Sequence, residues 1–157
     1  MICQTPTRAS AHRDGIDPVA TADAAIRDLP GRAVEVATLP LRSGRNPFDI
    51  HVYFSGKAEA AAAARLRRSL LTSFDWLCAR GWWDTPIGPH PLPMFEVDFG
   101  EPARANDVNT VAEWLRAHAD GLIVLLHPNT TDGMVADHTT HAMWIGGDPL
   151  PLKLDKK

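Results

Sequence analysis

Cysteine is nearly absent from this chain: Cys3 and Cys78 are its only two, and nothing near either has metal-ligand spacing. That excludes a cysteine-based zinc or iron–sulfur motif, predicts no disulfide framework and suits a reducing cytoplasm. A basic excess is missing too. Lys and Arg number 16 against 19 Asp and Glu, a net charge of −3. Nothing there condenses on phosphates, so nucleic acid is not the expected partner. No apolar run approaches the roughly 18–20 residues of a membrane span. The stretch Met1-Ile2-Cys3-Gln4-Thr5-Pro6-Thr7-Arg8 lacks the hydrophobic core of a signal peptide, which agrees with a cytoplasmic expectation.

What the chain does have is length enough for one domain with its own core, 13 prolines, 5 tryptophans and 7 histidines. Residues 1–46 are poor in large apolar side chains and read as an N-terminal extension, partly flexible. Within it, Pro18 to Leu29 is compatible with a helix, and Val34-Glu35-Val36-Ala37 alternates weakly like a short strand. The domain proper is expected over 47–157.

It opens with Phe48-Asp49-Ile50-His51-Val52-Tyr53-Phe54, whose alternation puts Phe48, Ile50, Val52 and Phe54 on one face. Asp49, His51 and Tyr53 share the other, either as the floor of a pocket or as a face in water. Residues 57–80 read as a helix with Leu66, Leu70, Phe74 and Leu77 as its stripe, Gly81 closing it and Cys78 as a small inert core residue. Arg65, Arg67 and Arg68 form a solvated face. Prolines around His90, in Gly88-Pro89-His90-Pro91-Leu92-Pro93, fix an extended segment that either holds an imidazole rigidly or merely connects strands. A strand before it is confined to a sheet edge. Met94–Phe99 alternates again, with Glu96 and Asp98 on the polar side. Residues 104–120 form the second helix, capped by Asn106 or Asp107, and Leu122–Leu126 is a buried strand.

This order, βαββαβ, predicts an α+β ferredoxin-like fold: a four-stranded antiparallel sheet with two helices on one face. The other face is left for a ligand or a second subunit, a homodimer being the expected assembly.

The last strand delivers His127 to its end, and the segment that follows carries His138 and His141. Imidazole is the commonest biological metal ligand and titrates near neutrality. Three of them on one turn-rich segment suit a metal or acid–base site, although histidines at strand ends also serve as ordinary surface residues.

Three segments together resemble the DOPA 4,5-dioxygenase family of fungi and bacteria, the small ferredoxin-like type. They are Asp49–Phe54, Gly88–Val97, and His127-Pro128-Asn129-Thr130 with Asp137-His138-Thr139 and Trp144-Ile145-Gly146. The likeness spans roughly residues 47–152. One departure stands out: the family loop His-Pro-Asn-Thr-Gly-Asp has Thr131 here in the glycine's place, with Gly133 two positions later. The resemblance implies extradiol cleavage of DOPA or a related catechol by non-haem iron(II) and O2. It implies His51 and His127 as metal ligands, Glu96 or His138 as the third, and His90 or His138 as acid–base. Tyr53 either hydrogen-bonds substrate or oxygen or simply packs, and His141 is an outer candidate. The competing reading is a non-catalytic ferredoxin-like domain whose histidines bind a small molecule or a structural zinc, since the fold alone decides no function.

Overall fold

The alternation in Phe48–Tyr53 produces β2, the strand at the centre of the sheet, in a computed structural model that describes Cys3, the backbone of Ile26–Arg27 and residues 34–154. The remaining elements in chain order are β1 (Ile26–Arg27), α1 (Gly56–Ser73), β3 (Cys78–Trp83), β4 (Met94–Asp98), α2 (Val108–His118), β5 (Val124–Pro128), α3 (Met134–His138) and β6 (Met143–Ile145). The sheet runs β1-β6-β5-β2-β4-β3. Its inner part, β5-β2-β4-β3, is the ferredoxin-like arrangement with two helices crossing one face. Beyond the four expected strands, β6 pairs antiparallel with β5, and β1 pairs parallel with β6.

Phe48, Ile50 and Val52 join Phe95, Val97, Val124 and Leu126 in the main core, against Leu66 and Leu70 of α1 and Val111 and Leu115 of α2. Full burial of side chains of this size contributes about 1.5–3 kcal/mol each. The opposite face is not in water. Tyr53, Met94, Leu125, Ala142 and Trp144 form a second buried cluster there, packed by Trp83, Leu92, Leu150 and Leu152. The Lys153 N–H donates to Pro89 O at 2.8 Å, fastening the C-terminal segment over the proline-rich loop. All six residues of β2 are consequently buried.

The first helix stops at Ser73 instead of 80. The apolar spacing of Phe74 and Leu77 continues the helical stripe, but Phe74 closes α1 and Leu77 N–H turns back to Phe74 O at 3.0 Å. Pairing with β4 then claims Cys78–Trp83 as an edge strand. Trp82 stacks on Phe95 and on Phe54, with ring centroids 5.9 and 4.6 Å away, and Arg80 pairs with Asp98. Gly81 therefore ends no helix. It sits at a strand irregularity under the Trp83 indole, where a Cβ would lie 2.4 Å from the ring.

Four further expectations change. Cys78 is not a free core thiol: it is bonded to Cys3, 75 residues away in sequence. Spacing rules do not register a bridge of that span, and the argument from isolated cysteines to a reducing compartment loses its basis. In the extension, Ile26–Arg27 is strand where a helix was expected; the rest of 18–33 lies outside the described residues. Val36–Thr38 is a 3-10 turn, not a strand. The second helix starts at Val108, after a 3-10 turn over Pro102–Asp107, and Asp107 is its N-cap residue without a side-chain cap. Among the described residues, no helix is long and apolar enough to cross a membrane.

Candidate metal centre

On the covered face of the sheet, β2 presents Asp49, His51 and Tyr53 in a row, and antiparallel pairing sets Glu96 opposite His51, Asp98 opposite Asp49 and Met94 opposite Tyr53. On its other side β5 places His127 opposite Asp49. Two further histidines near this face come from outside the sheet. His90 descends from the proline-rich loop, its N–H bonded to Ile87 O at 3.1 Å. His138 ends α3, a single short helix too brief for periodicity to reveal.

The loop that carries α3 is held by Asp137, whose carboxylate accepts from Thr130 N–H at 3.1 Å and from Thr130 Oγ1. Burial raises the Asp137 pKa to about 6, against the lowering effect of those Thr130 bonds. Gly133, at φ 95°, supplies the left-handed turn before α3. Thr131, in the family glycine's place, is anchored by its N–H to Pro40 O at 2.8 Å. With Thr131 held in this way, His127 and His138 still lie together, their ring centroids 4.0 Å apart.

The four rings gather. His127 and His138 have centroids 4.0 Å apart, His51 and His90 4.3 Å, His51 and His127 5.1 Å, and His90 and His138 5.8 Å. His51 Nε2 and His127 Nε2 stand 3.1 Å from each other. One ligand atom from each of His51, His127 and His138 lies within 4.8 Å of the others. His127 Nδ1 faces Pro128 O at 2.8 Å and His138 Nδ1 faces Met134 O at 2.8 Å. A carbonyl only accepts, so both Nδ1 atoms carry the proton and both Nε2 atoms keep a lone pair. Burial lowers the His127 pKa to about 4, which keeps the ring neutral.

Glu96 falls in a different group, with His51 and Asp49. Burial, then repulsion from Asp49 and Asp98, raises its pKa to about 8. Asp49 is raised as well, chiefly by burial, against the pull of Asn129 and Asn46, whose amides donate to it. Its Oδ2 is 3.9 Å from His127 Nε2. Asp49 was not singled out from sequence, although alternation already put it on the same face as His51.

Tyr53 Oη lies 2.7 Å from His90 Nδ1. Desolvation lifts the Tyr53 pKa well above 10, with the Glu96 charge adding to it, so the phenol stays neutral. His141 stays outside the cluster, paired with Asp132 at 2.8 Å on the surface. His118 stacks on Trp114 and bonds its carbonyl, a structural place.

Comparison with known proteins adds three findings. A model of the Dopa 4,5-dioxygenase family matches residues 48–156. An uncharacterized 21.2 kDa protein of Botryotinia fuckeliana is 35% identical over 139 residues, 82% of this chain and 74% of that protein. A crystal structure of a candidate dioxygenase from Nostoc punctiforme superposes with a TM-score of 0.61 at 37% identity, over 70% of this chain and 89% of that one.

Proposed function

Because this chain belongs to the Dopa 4,5-dioxygenase family, we propose that it is a non-haem iron(II)-dependent extradiol dioxygenase acting on DOPA or a related catechol with O2. The observation that carries the reading is the meeting of His51, His127 and His138 in a buried group with two Nε2 lone pairs already turned inward by backbone carbonyls. Neutral imidazoles locked in one tautomer by a second hydrogen bond suit a divalent transition metal. These three residues would hold the iron, leaving Glu96 outside the set. Bound there, iron(II) supplies the polarisation and templating that bring catechol and O2 to reaction, with ring opening beside the diol.

The chain's own contribution is proton handling and exclusion of water. His90, next to His51, accepts a catechol hydroxyl proton at Nε2 and later returns it. For that, Nδ1 must carry its own proton, and the neutral Tyr53 oxygen accepts it at 2.7 Å. A phenol hydroxyl both donates and accepts, so Tyr53 is placed to hold the Nδ1–H form of His90 that this role requires. The loop around His90 and the segment ending at Leu154 cover the site from solvent.

The test is anaerobic reconstitution with iron(II), followed by DOPA or caffeate and air. Oxygen uptake with a yellow semialdehyde product, lost in His51→Ala and His127→Ala, supports the enzyme. No uptake across a range of catechols favours a binding domain instead.

A further inference from the structure

The side chains that would meet substrate are all shut away. His51 is 4% exposed, His90 5%, His127 2%, His138 6% and Tyr53 1%. Groups this buried admit no ring the size of a catechol until part of their cover moves.

Two segments form that cover, and they are held very differently. The loop carrying His90 is tied by His90 N–H to Ile87 O at 3.1 Å, by Phe54 N–H to Pro93 O at 3.0 Å, and by the 2.7 Å contact of Tyr53 with His90. Residues 148–154 belong to no helix or strand. Among the described residues, one backbone hydrogen bond joins 149–154 to the rest of the chain, from Lys153 N–H to Pro89 O at 2.8 Å. The other hold is apolar: Leu150 and Leu152 lie half-buried against the cluster of Tyr53 and Trp144, and Leu154 is buried. So few backbone bonds mark a segment at the low end of local stability. It leaves β6 through Gly146 and Gly147, whose backbone freedom suits a pivot.

The cluster beneath is not a finished core. Trp144 is 1% exposed, yet its indole N–H has no hydrogen-bond partner among the described residues. A buried donor left unsatisfied is costly, and it fits a place where an incoming ligand supplies the acceptor.

We propose that residues 148–154 are a lid that swings away from Pro89 to admit the catechol between His90 and the Tyr53–Trp144 cluster, then closes over it. The proposal rests on the catechol-cleaving reading of the site. With the moving part separate from the His90 loop, the acid–base imidazole and its Tyr53 partner stay in register while the site opens.

The experiment uses the full chain as wild type, Lys153→Pro and Lys153→Ala. Proline removes the N–H that reaches Pro89, whereas alanine keeps it and changes only an exposed side chain. Hydrogen exchange of the metal-free proteins is read by mass spectrometry, and stopped flow follows 4-methylcatechol binding to the anaerobic iron(II)-loaded proteins. In the wild type, amides of 148–154 should exchange well before those of β5, and the binding rate should level off with rising catechol at the rate of opening. Lys153→Pro should raise opening roughly three- to tenfold, the worth of one hydrogen bond, and Lys153→Ala should leave it as it is. If Lys153→Pro does not fold, Leu152→Ala weakens the apolar hold with every backbone bond kept, and the same acceleration is expected of it. Amides of 148–154 as protected as those of β5, or a binding rate that stays linear and equal in all variants, overturns the lid. A wild type that binds no catechol while 148–154 still exchange early overturns the catechol reading, and the lid's role with it.

Discussion

Tyr53 Oη and His90 Nδ1 stand 2.7 Å apart, both buried, one on the central strand and the other on a loop stiffened by four prolines. A strand residue that cannot move and a loop residue that loses little entropy in being held form a rigid pair. Tyr53→Phe keeps the packing against Trp144, whose ring lies 6.0 Å away, and removes only the hydroxyl. The expected outcome is a kcat reduced roughly 10- to 100-fold with KM nearly unchanged. His90→Gln should cost more, about 10²–10⁴ in kcat. Steady-state oxygen uptake measures both; a rise in KM without loss of kcat in Tyr53→Phe argues for substrate contact instead of orientation.

Metal retention separates the two ligand groups. His127→Ala and His138→Ala should each lose iron on gel filtration, whereas Glu96→Gln should keep close to the wild-type content. Elemental analysis of the desalted protein reads this directly. Loss of iron in Glu96→Gln would move the ion toward Asp49 and Glu96.

Glu96 also sets a pH dependence of stability. Its folded pKa, about 8, lies above its ordinary value of 4.5. The folded state then holds the proton more tightly than the unfolded state does, and stability falls as pH rises from 4.5 through 8. Above that range the penalty is complete. Glu96→Gln removes the titration, so the metal-free variant should melt higher than metal-free wild type at pH 8, by about 2–4 °C for each kcal/mol relieved, and the gap should close toward pH 5. Differential scanning calorimetry across that range checks the slope.

Gly146 closes the Trp144-Ile145-Gly146 motif for a backbone reason. Its φ is +84°, and an added Cβ would lie 2.1 Å from Leu122 O. Gly146→Ala should therefore cost about 2–4 kcal/mol, combining strained backbone with a clash that no rotamer relieves. Gly44→Ala, at φ +74° with nothing within 4 Å, should cost only about 1–2 kcal/mol. Urea unfolding of the two variants separates the contributions.

Much of this arrangement is legible in the sequence because alternation is a strong signal. The faces of β2 and β4 follow from their period of two, and with them the neighbourhood of His51, Tyr53 and Glu96. The position of α3 does not follow, since five residues give no periodicity, and the bonds that tie Asp137 back to Thr130 are not visible in the Asp137-His138-Thr139 motif itself. The end of α1 was obscured by Phe74 and Leu77, which satisfy a helical stripe while belonging to a turn. Strand β3 was expected, and at a sheet edge, but its start at Cys78 was hidden because its stability lies in partners farther along the chain, Phe95 and Asp98. The bond between Cys3 and Cys78 is similarly a matter of tertiary proximity. The third-ligand ambiguity between Glu96 and His138 has the same origin: both lie near His51, each in its own group of possible ligands.

The most direct measurement is anomalous scattering at the iron edge from crystals loaded with iron(II) under anaerobic conditions. A single peak within coordinating reach of the Nε2 atoms of His51, His127 and His138 is the predicted result. A peak between Asp49 and Glu96, or three imidazoles with no metal among them at saturating iron, would contradict it.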